Sequence, residues 1–244
     1  MNKPKLWTFG CSHTQLIKVM AEEDFEAGHN SSFVRYLNLY NNNPPLGWSQ
    51  HLAKDLDLHL MNMGAGSSSN QQIFSRFTQF MNQIEDRDVL IIQWSDTVRF
   101  RTVGKDGNFV SIFPGGVDEN SPYLGMLLNR ENPIWVDEVF EYSKIILEWA
   151  KLKNIKILFW FMPLYKVQVW EELKENWVHF QDDNAEEWEP DRIYNAHDWV
   201  QRQLQGKAKI KHEVDIDDEH FGEQGNLYLS KLILNNYNRL YKDE

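Results

Sequence analysis

The chain has 244 residues, 42% of them hydrophobic and 14% aromatic, which is enough to build a sizeable core and excludes a disordered composition. A formal net charge of -11 argues against nucleic-acid binding, which requires a basic face, and against docking on anionic lipid, so a neutral or weakly polar partner fits better. The one cysteine, Cys11, allows neither an intrachain disulfide nor a multi-cysteine zinc site.

In chain order, the first element is a strand over Leu6–Phe9, short, apolar and closed by Gly10. The apolar stretch there is too short for a signal-peptide core. The longest apolar run, Ile157 to Leu164 broken by Pro163, is too short to span a bilayer, so the expectation is a soluble, cytoplasmic protein with no membrane segment. Residues 18–46 are polar and carry the loop signal Asn41-Asn42-Asn43-Pro44-Pro45. Ser49 is a candidate cap for a short helix to about Leu56, with Trp48, Leu52 and Leu56 on one side. A strand at Leu58–Met63 precedes a helix at Asn70–Ile84, where Ile73, Phe77, Phe80, Met81 and Ile84 recur at helical spacing.

Val89–Trp94 is the third strand. Residues 100–132 interrupt the alternation, with a candidate hairpin around Lys105-Asp106-Gly107. A helix follows over Val136–Leu152, then a strand over Ile155–Met162. Residues 165–209 are acidic and hold Trp170, Trp177, Trp188 and Trp199, either a sugar-stacking platform or the aromatic packing of a long insertion. A weak fifth strand lies near Glu213–Ile216, and the last helix falls within Phe221–Tyr241. Alternating strands and helices predict one α/β domain over residues 1–244, with a central parallel sheet of about five strands and insertions near 18–46, 100–132 and 165–209. Sheets of this kind place their sites at the carboxyl ends of strands, here just after Phe9, Met63, Trp94 and Met162.

Four segments at or near such ends carry chemistry. Gly10-Cys11-Ser12 presents a hydroxyl at the top of the first strand, beside backbone N–H groups that suit an oxyanion; Ser12 is equally suited to cap the next helix. Asp217-Asp218-Glu219-His220 places a carboxylate three residues before a histidine, so one turn can deliver a base and its orienting group; a solvated acidic loop has the same letters. Asn62 to Asn70 is rich in small residues whose N–H groups can face an oxyanion, and Ser69 or Asn70 can cap the helix behind it. Gln93-Trp94-Ser95-Asp96 offers the Ser95 hydroxyl as a donor or as a cap. His13, Asn70 and Trp94 adjoin these segments and are candidate substrate contacts. The remaining histidines lack metal-ligand spacing, and no metal or other cofactor is expected.

In their order along the chain, these segments resemble the four blocks of the SGNH hydrolases, also called the GDSL esterase/lipase family. Gly10-Cys11-Ser12 stands where that family has Gly-Asp-Ser, and Asn62 to Asn70 is similar to its glycine-bearing second block. Gln93-Trp94-Ser95-Asp96 stands where it has Gly-x-Asn-Asp, and Asp217 to His220 matches its Asp-x-x-His, with Gly225 and a leucine-rich helix following. The resemblance implies a flavodoxin-like three-layer sandwich and acyl transfer from a short ester, often an acetyl group on a carbohydrate. It assigns Ser12 as nucleophile, His220 as base and Asp217 as orienting group. The oxyanion donors it implies are the Ser12 N–H, an N–H at Gly66 or Ser67, and the Ser95 side chain. Two departures fall in the third block, Gln93 for Gly and Ser95 for Asn, and a hydroxyl reaches less far than a carboxamide. The alternatives of another class are a non-catalytic glycan-binding protein on the same fold, which those departures favour, and an acyltransferase.

Overall fold

The buried runs pair into one parallel sheet. The computed structural model describes residues 3–29, 31–103, 109–112, 121–123, 125, 135–161, 167–178, 192–193, 196–210 and 220–242. Strands β1 (Lys5–Gly10), β2 (His59–Gly64), β3 (Val89–Trp94) and β6 (Lys156–Phe161) lie in the order β2-β1-β3-β6, all parallel. Leu6 is level with Leu60 and Val89, and Trp94 with Phe161. β1 therefore sits between β2 and β3, which brings the carboxyl ends of all three together.

Side chains alternate across the sheet, as the two-residue period of a strand demands. Trp7, Phe9, Leu90, Ile92, Trp94, Phe159 and Phe161 share one core with α4 (Asn70–Phe80) and α5 (Val136–Lys153). Leu6, Val89, Ile91, Leu158 and Trp160 share the other with α3 (Trp48–Asp55) and α7 (Glu223–Tyr241). The result is a three-layer α/β arrangement. Local chemistry bounds two of these helices. Ser69 caps α4 by accepting from the Gln72 N–H, while the Gln72 side chain accepts from the Ser69 N–H. α5 carries Asp137 and Glu138 in its first turn, Lys151 and Lys153 in its last, and ends at Asn154 in the left-handed conformation.

Several expectations change. The strand near Glu213–Ile216 lies outside the described residues, so the described sheet has four strands. Beyond β6, where a fifth would pair, residues 176–178 bridge to Phe159 through Phe159 N–H to Asn176 O and Val178 N–H to Phe159 O. Ser49 is not the cap of α3: that position is Gly47, and Ser49 Oγ instead accepts from Asn62 Nδ2. Residues 18–46 are not a plain loop. They fold into α1 (Ile17–Glu26) and α2 (Ser32–Leu39), which share a small core of Ile17, Met20, Tyr36 and Ile210. The Asn41–Asn43 loop signal falls just after α2, with Asn41 and Asn42 both at positive φ.

The expected hairpin is present as β4 (Phe100–Val103) paired antiparallel with β5 (Phe109–Ile112); its turn lies outside the described residues. β7 (Val167–Gln168) and β8 (Arg192–Ile193) form a second small pair, ahead of α6 (Ala196–Gln203). The described tryptophans of the third insertion pack inward. Trp177 is fully buried against Phe140 and Phe159, and Trp170 and Trp199 lie partly buried on the two cores. That removes Trp177 from an exposed sugar platform, while Trp170 and Trp199 keep part of their surface exposed; Trp188 lies outside the described residues. Among the described residues no helix is long and apolar enough to cross a membrane.

Candidate active site

Gly10 ends β1, and the chain turns tightly over residues 11–15, with Thr14 N–H and Gln15 N–H both donating to Cys11 O. α1 begins only at Ile17, so Ser12 lies in this turn and does not cap the helix. The turn is clamped from both neighbouring strands. From β3, Gln93 Oε1 accepts from Cys11 N–H and from Thr14 Oγ1, each at 2.9 Å, while Gln93 Nε2 donates to Trp94 O and lies 3.2 Å from Cys11 Sγ. From β2, Asn62 Nδ2 donates to Thr14 O at 2.7 Å.

Both flanking glycines are required by space. A Cβ on Gly10 would lie 2.3 Å from Thr14 Oγ1 and 2.4 Å from Gln93 Oε1; one on Gly64 would lie 2.4 Å from the Gln15 backbone nitrogen. Gly10 is thus required by close approach. Gln93 was read from the sequence only as a departure. The signal that it matters was a carboxamide inside the apolar run Val89–Trp94, since a buried amide needs partners.

His220 arrives from the other end of the chain. Residues 208–210 and 220–222 clasp through an antiparallel bridge, with Ile210 N–H donating to His220 O and Gly222 N–H to Ala208 O. Asn226, in the first turn of α7, donates from Nδ2 to Phe221 O and Gly222 O and accepts from Trp48 N–H at Oδ1. Gly225 lets this turn approach: a Cβ there would lie 2.3 Å from Ala208 O.

The clasp sets His220 Nε2 2.9 Å from Ser12 Oγ. His13 stacks on the His220 ring at 4.4 Å, and Phe33 of α2 meets it edge-on at 4.9 Å. His13 is therefore placed against the candidate base, and its carbonyl accepts from Trp48 Nε1. Phe33 and Asn226 were not singled out from the sequence, and Trp48 was read only as part of the apolar side of α3; nothing local marks their place at the site, because it depends on α2, α3 and α7 meeting. Asp217 lies outside the described residues.

The other candidates separate. Gly66 and Ser67 follow β2 on the exposed side of the same strand ends, and Ser67 bends the chain at φ 55°. Neither the Ser12 N–H nor the Gly66 N–H is hydrogen-bonded to any described residue. Arg76 steadies this loop, donating to Met63 O and Ser68 Oγ, and burial pushes its pKa below the ordinary value. Ser95 is not a helix cap, since β4 is the next element. Its N–H donates to Asn70 Oδ1 at 2.7 Å. Trp94 is corrected: it is wholly buried and donates from Nε1 to Ser143 Oγ, so it is a core residue and not a substrate contact. The arrangement can deprotonate a hydroxyl next to free N–H donors at the mouth of a parallel sheet. No protein-family model and no curated protein sequence matches the chain.

Proposed function

We propose that the protein is a serine esterase of the SGNH type that hydrolyses short acyl esters, with acetyl esters of carbohydrates as the favoured class. The observation that carries the reading is the 2.9 Å contact between Ser12 Oγ and His220 Nε2, from residues 208 positions apart in sequence. A serine and a histidine at hydrogen-bond distance at the carboxyl ends of parallel strands have the geometry of a nucleophile and its base.

In this mechanism His220 Nε2 takes the Ser12 proton as Oγ bonds to the ester carbonyl carbon. The carbonyl electron pair moves to oxygen, where the Ser12 and Gly66 N–H groups receive it. The tetrahedral intermediate collapses, and His220 returns the proton to the departing alcohol. Water then attacks the acyl-serine with His220 again as base, releasing the acid and restoring Ser12. The resemblance assigns Asp217, three residues before His220, as the group that orients the ring, a role that keeps the proton on Nδ1 and leaves Nε2 for Ser12.

The test uses p-nitrophenyl acetate turnover and labelling by a fluorophosphonate. The native protein turns over the ester and is labelled. Ser12→Ala and His220→Ala lose turnover by roughly 10,000-fold or more, and Ser12→Ala is not labelled. A native protein that neither turns over nor labels would mean that Ser12 is not a nucleophile and would favour the binding-protein alternative.

A further inference from the structure

We propose that the side-chain donor to the oxyanion is Asn70, not Ser95. This rests on the esterase reading above and assigns a residue to it that the block order does not. Asn70 is the first residue of α4, and Ser69 in front of it does the capping, so the Asn70 carboxamide is not spent on the helix end. Its Oδ1 accepts from the Ser95 N–H at 2.7 Å. That backbone group can only donate, so it fixes which end of the carboxamide is oxygen and leaves Nδ2 as the free donor end.

The topology sets this bridge across the end of β1, the strand that Ser12 follows. Asn70 follows β2, Ser95 follows β3, and β1 lies between them with Ser12 just past its end. Neighbouring strands are about 4.8 Å apart, so a link from the β2 side to the β3 side passes above the end of β1. Asn70 is 2% exposed, yet Nδ2 donates to no described residue. That nitrogen is not sealed from solvent, so an acceptor brought to the site can reach it. A developing oxyanion on a substrate at Ser12 is such an acceptor. Ser95, by contrast, carries its hydroxyl one bond from Cβ, and its own backbone serves to aim Asn70. The carboxamide missing at position 95 is thereby supplied from position 70.

Three variants test the assignment with p-nitrophenyl acetate. Asn70→Ala removes both ends of the amide, and Asn70→Asp keeps an acceptor for the Ser95 N–H while removing the donor. Both lower kcat by about 100- to 1000-fold with KM changed less than about 3-fold. Ser95→Ala, which keeps the backbone N–H, costs at least about 10-fold less than either. Thermal unfolding separates a failed fold from a lost donor: Asn70→Asp must lose kcat while unfolding near the native temperature. If both Asn70 variants keep kcat within about 3-fold of an active native enzyme, this assignment is overturned and the esterase reading stands. A large loss in Ser95→Ala alone also overturns it, in favour of Ser95. An inactive native protein removes both.

Discussion

Gln93 shows how one side chain can hold a reactive turn. Its carboxamide is wholly buried, and its two ends engage Cys11, Thr14 and Trp94 at the junction of β1 and β3. Gln93→Leu conserves approximate size but strands the Cys11 N–H and the Thr14 hydroxyl. Each such loss costs about 1–3 kcal/mol. The variant is expected to unfold at lower urea, with about 2–6 kcal/mol less stability. It is also expected to label more slowly with a fluorophosphonate, because the turn that presents Ser12 has lost its clamp. An unchanged urea midpoint would show that the turn is held without Gln93. At this scale the sequence marked Ser12 and His220 as candidates, and the structure sets them 2.9 Å apart. The sequence was not legible at Trp94, whose aromatic ring at a strand end suits a substrate wall or a core equally. Burial and the bond to Ser143 decide for the core.

Among the elements, α7 is fastened at both ends. Its first turn holds the backbone at Phe221 and Gly222 through Asn226, next to His220. Its last residue, Tyr241, accepts at Oη from Ile157 N–H and Asn176 Nδ2 and donates to Ile157 O. One hydroxyl thus joins the helix, the edge strand β6 and the segment that covers that edge, which would otherwise offer unpaired backbone groups. Tyr241→Phe keeps the ring and removes this link, at an expected cost of about 1–2 kcal/mol. For a chain of this length that is a fall in Tm of about 2–8 °C, read by calorimetry. No fall would mean that the ring contacts of Tyr241 alone fasten the helix. Strands β1, β3 and β6 were readable because both their faces are buried, which writes a continuous apolar run into the sequence, and β2, only half-buried, was readable from its apolar residues before Gly64. α1 and α2 were not. Their apolar residues face a small local core, so their composition reads as polar, and only Ser31, which accepts from Val34 N–H, marks a helix start.

The molecule as a whole buries one sheet between two helical layers. Trp7 and Trp94 lie in one core and Trp48 and Trp160 in the other, all fully buried. Phe77 on the first side and Leu229 on the second are both inaccessible. Because every central strand contributes to both cores, the layers are expected to unfold together. Phe77→Ala should cost about 3–5 kcal/mol and Leu229→Ala about 2–5 kcal/mol. In each variant a single transition should be seen by tryptophan fluorescence and by far-ultraviolet circular dichroism. Transitions that separate between the two probes would show that one layer folds without the other.

By itself the sequence determined the α/β alternation, the four strands, and the strand ends at which the candidate residues were sought. These follow from local periodicity and from residue chemistry, which neighbours in the chain suffice to express. Tertiary structure alone decided the contacts across the sheet. The order β2-β1-β3-β6 and its register bring Gln93 and Asn62 onto one turn, Asn70 onto Ser95, and His220 onto Ser12. Partners of that kind depend on which strand lies beside which and at what level, and no local pattern of residues carries that information.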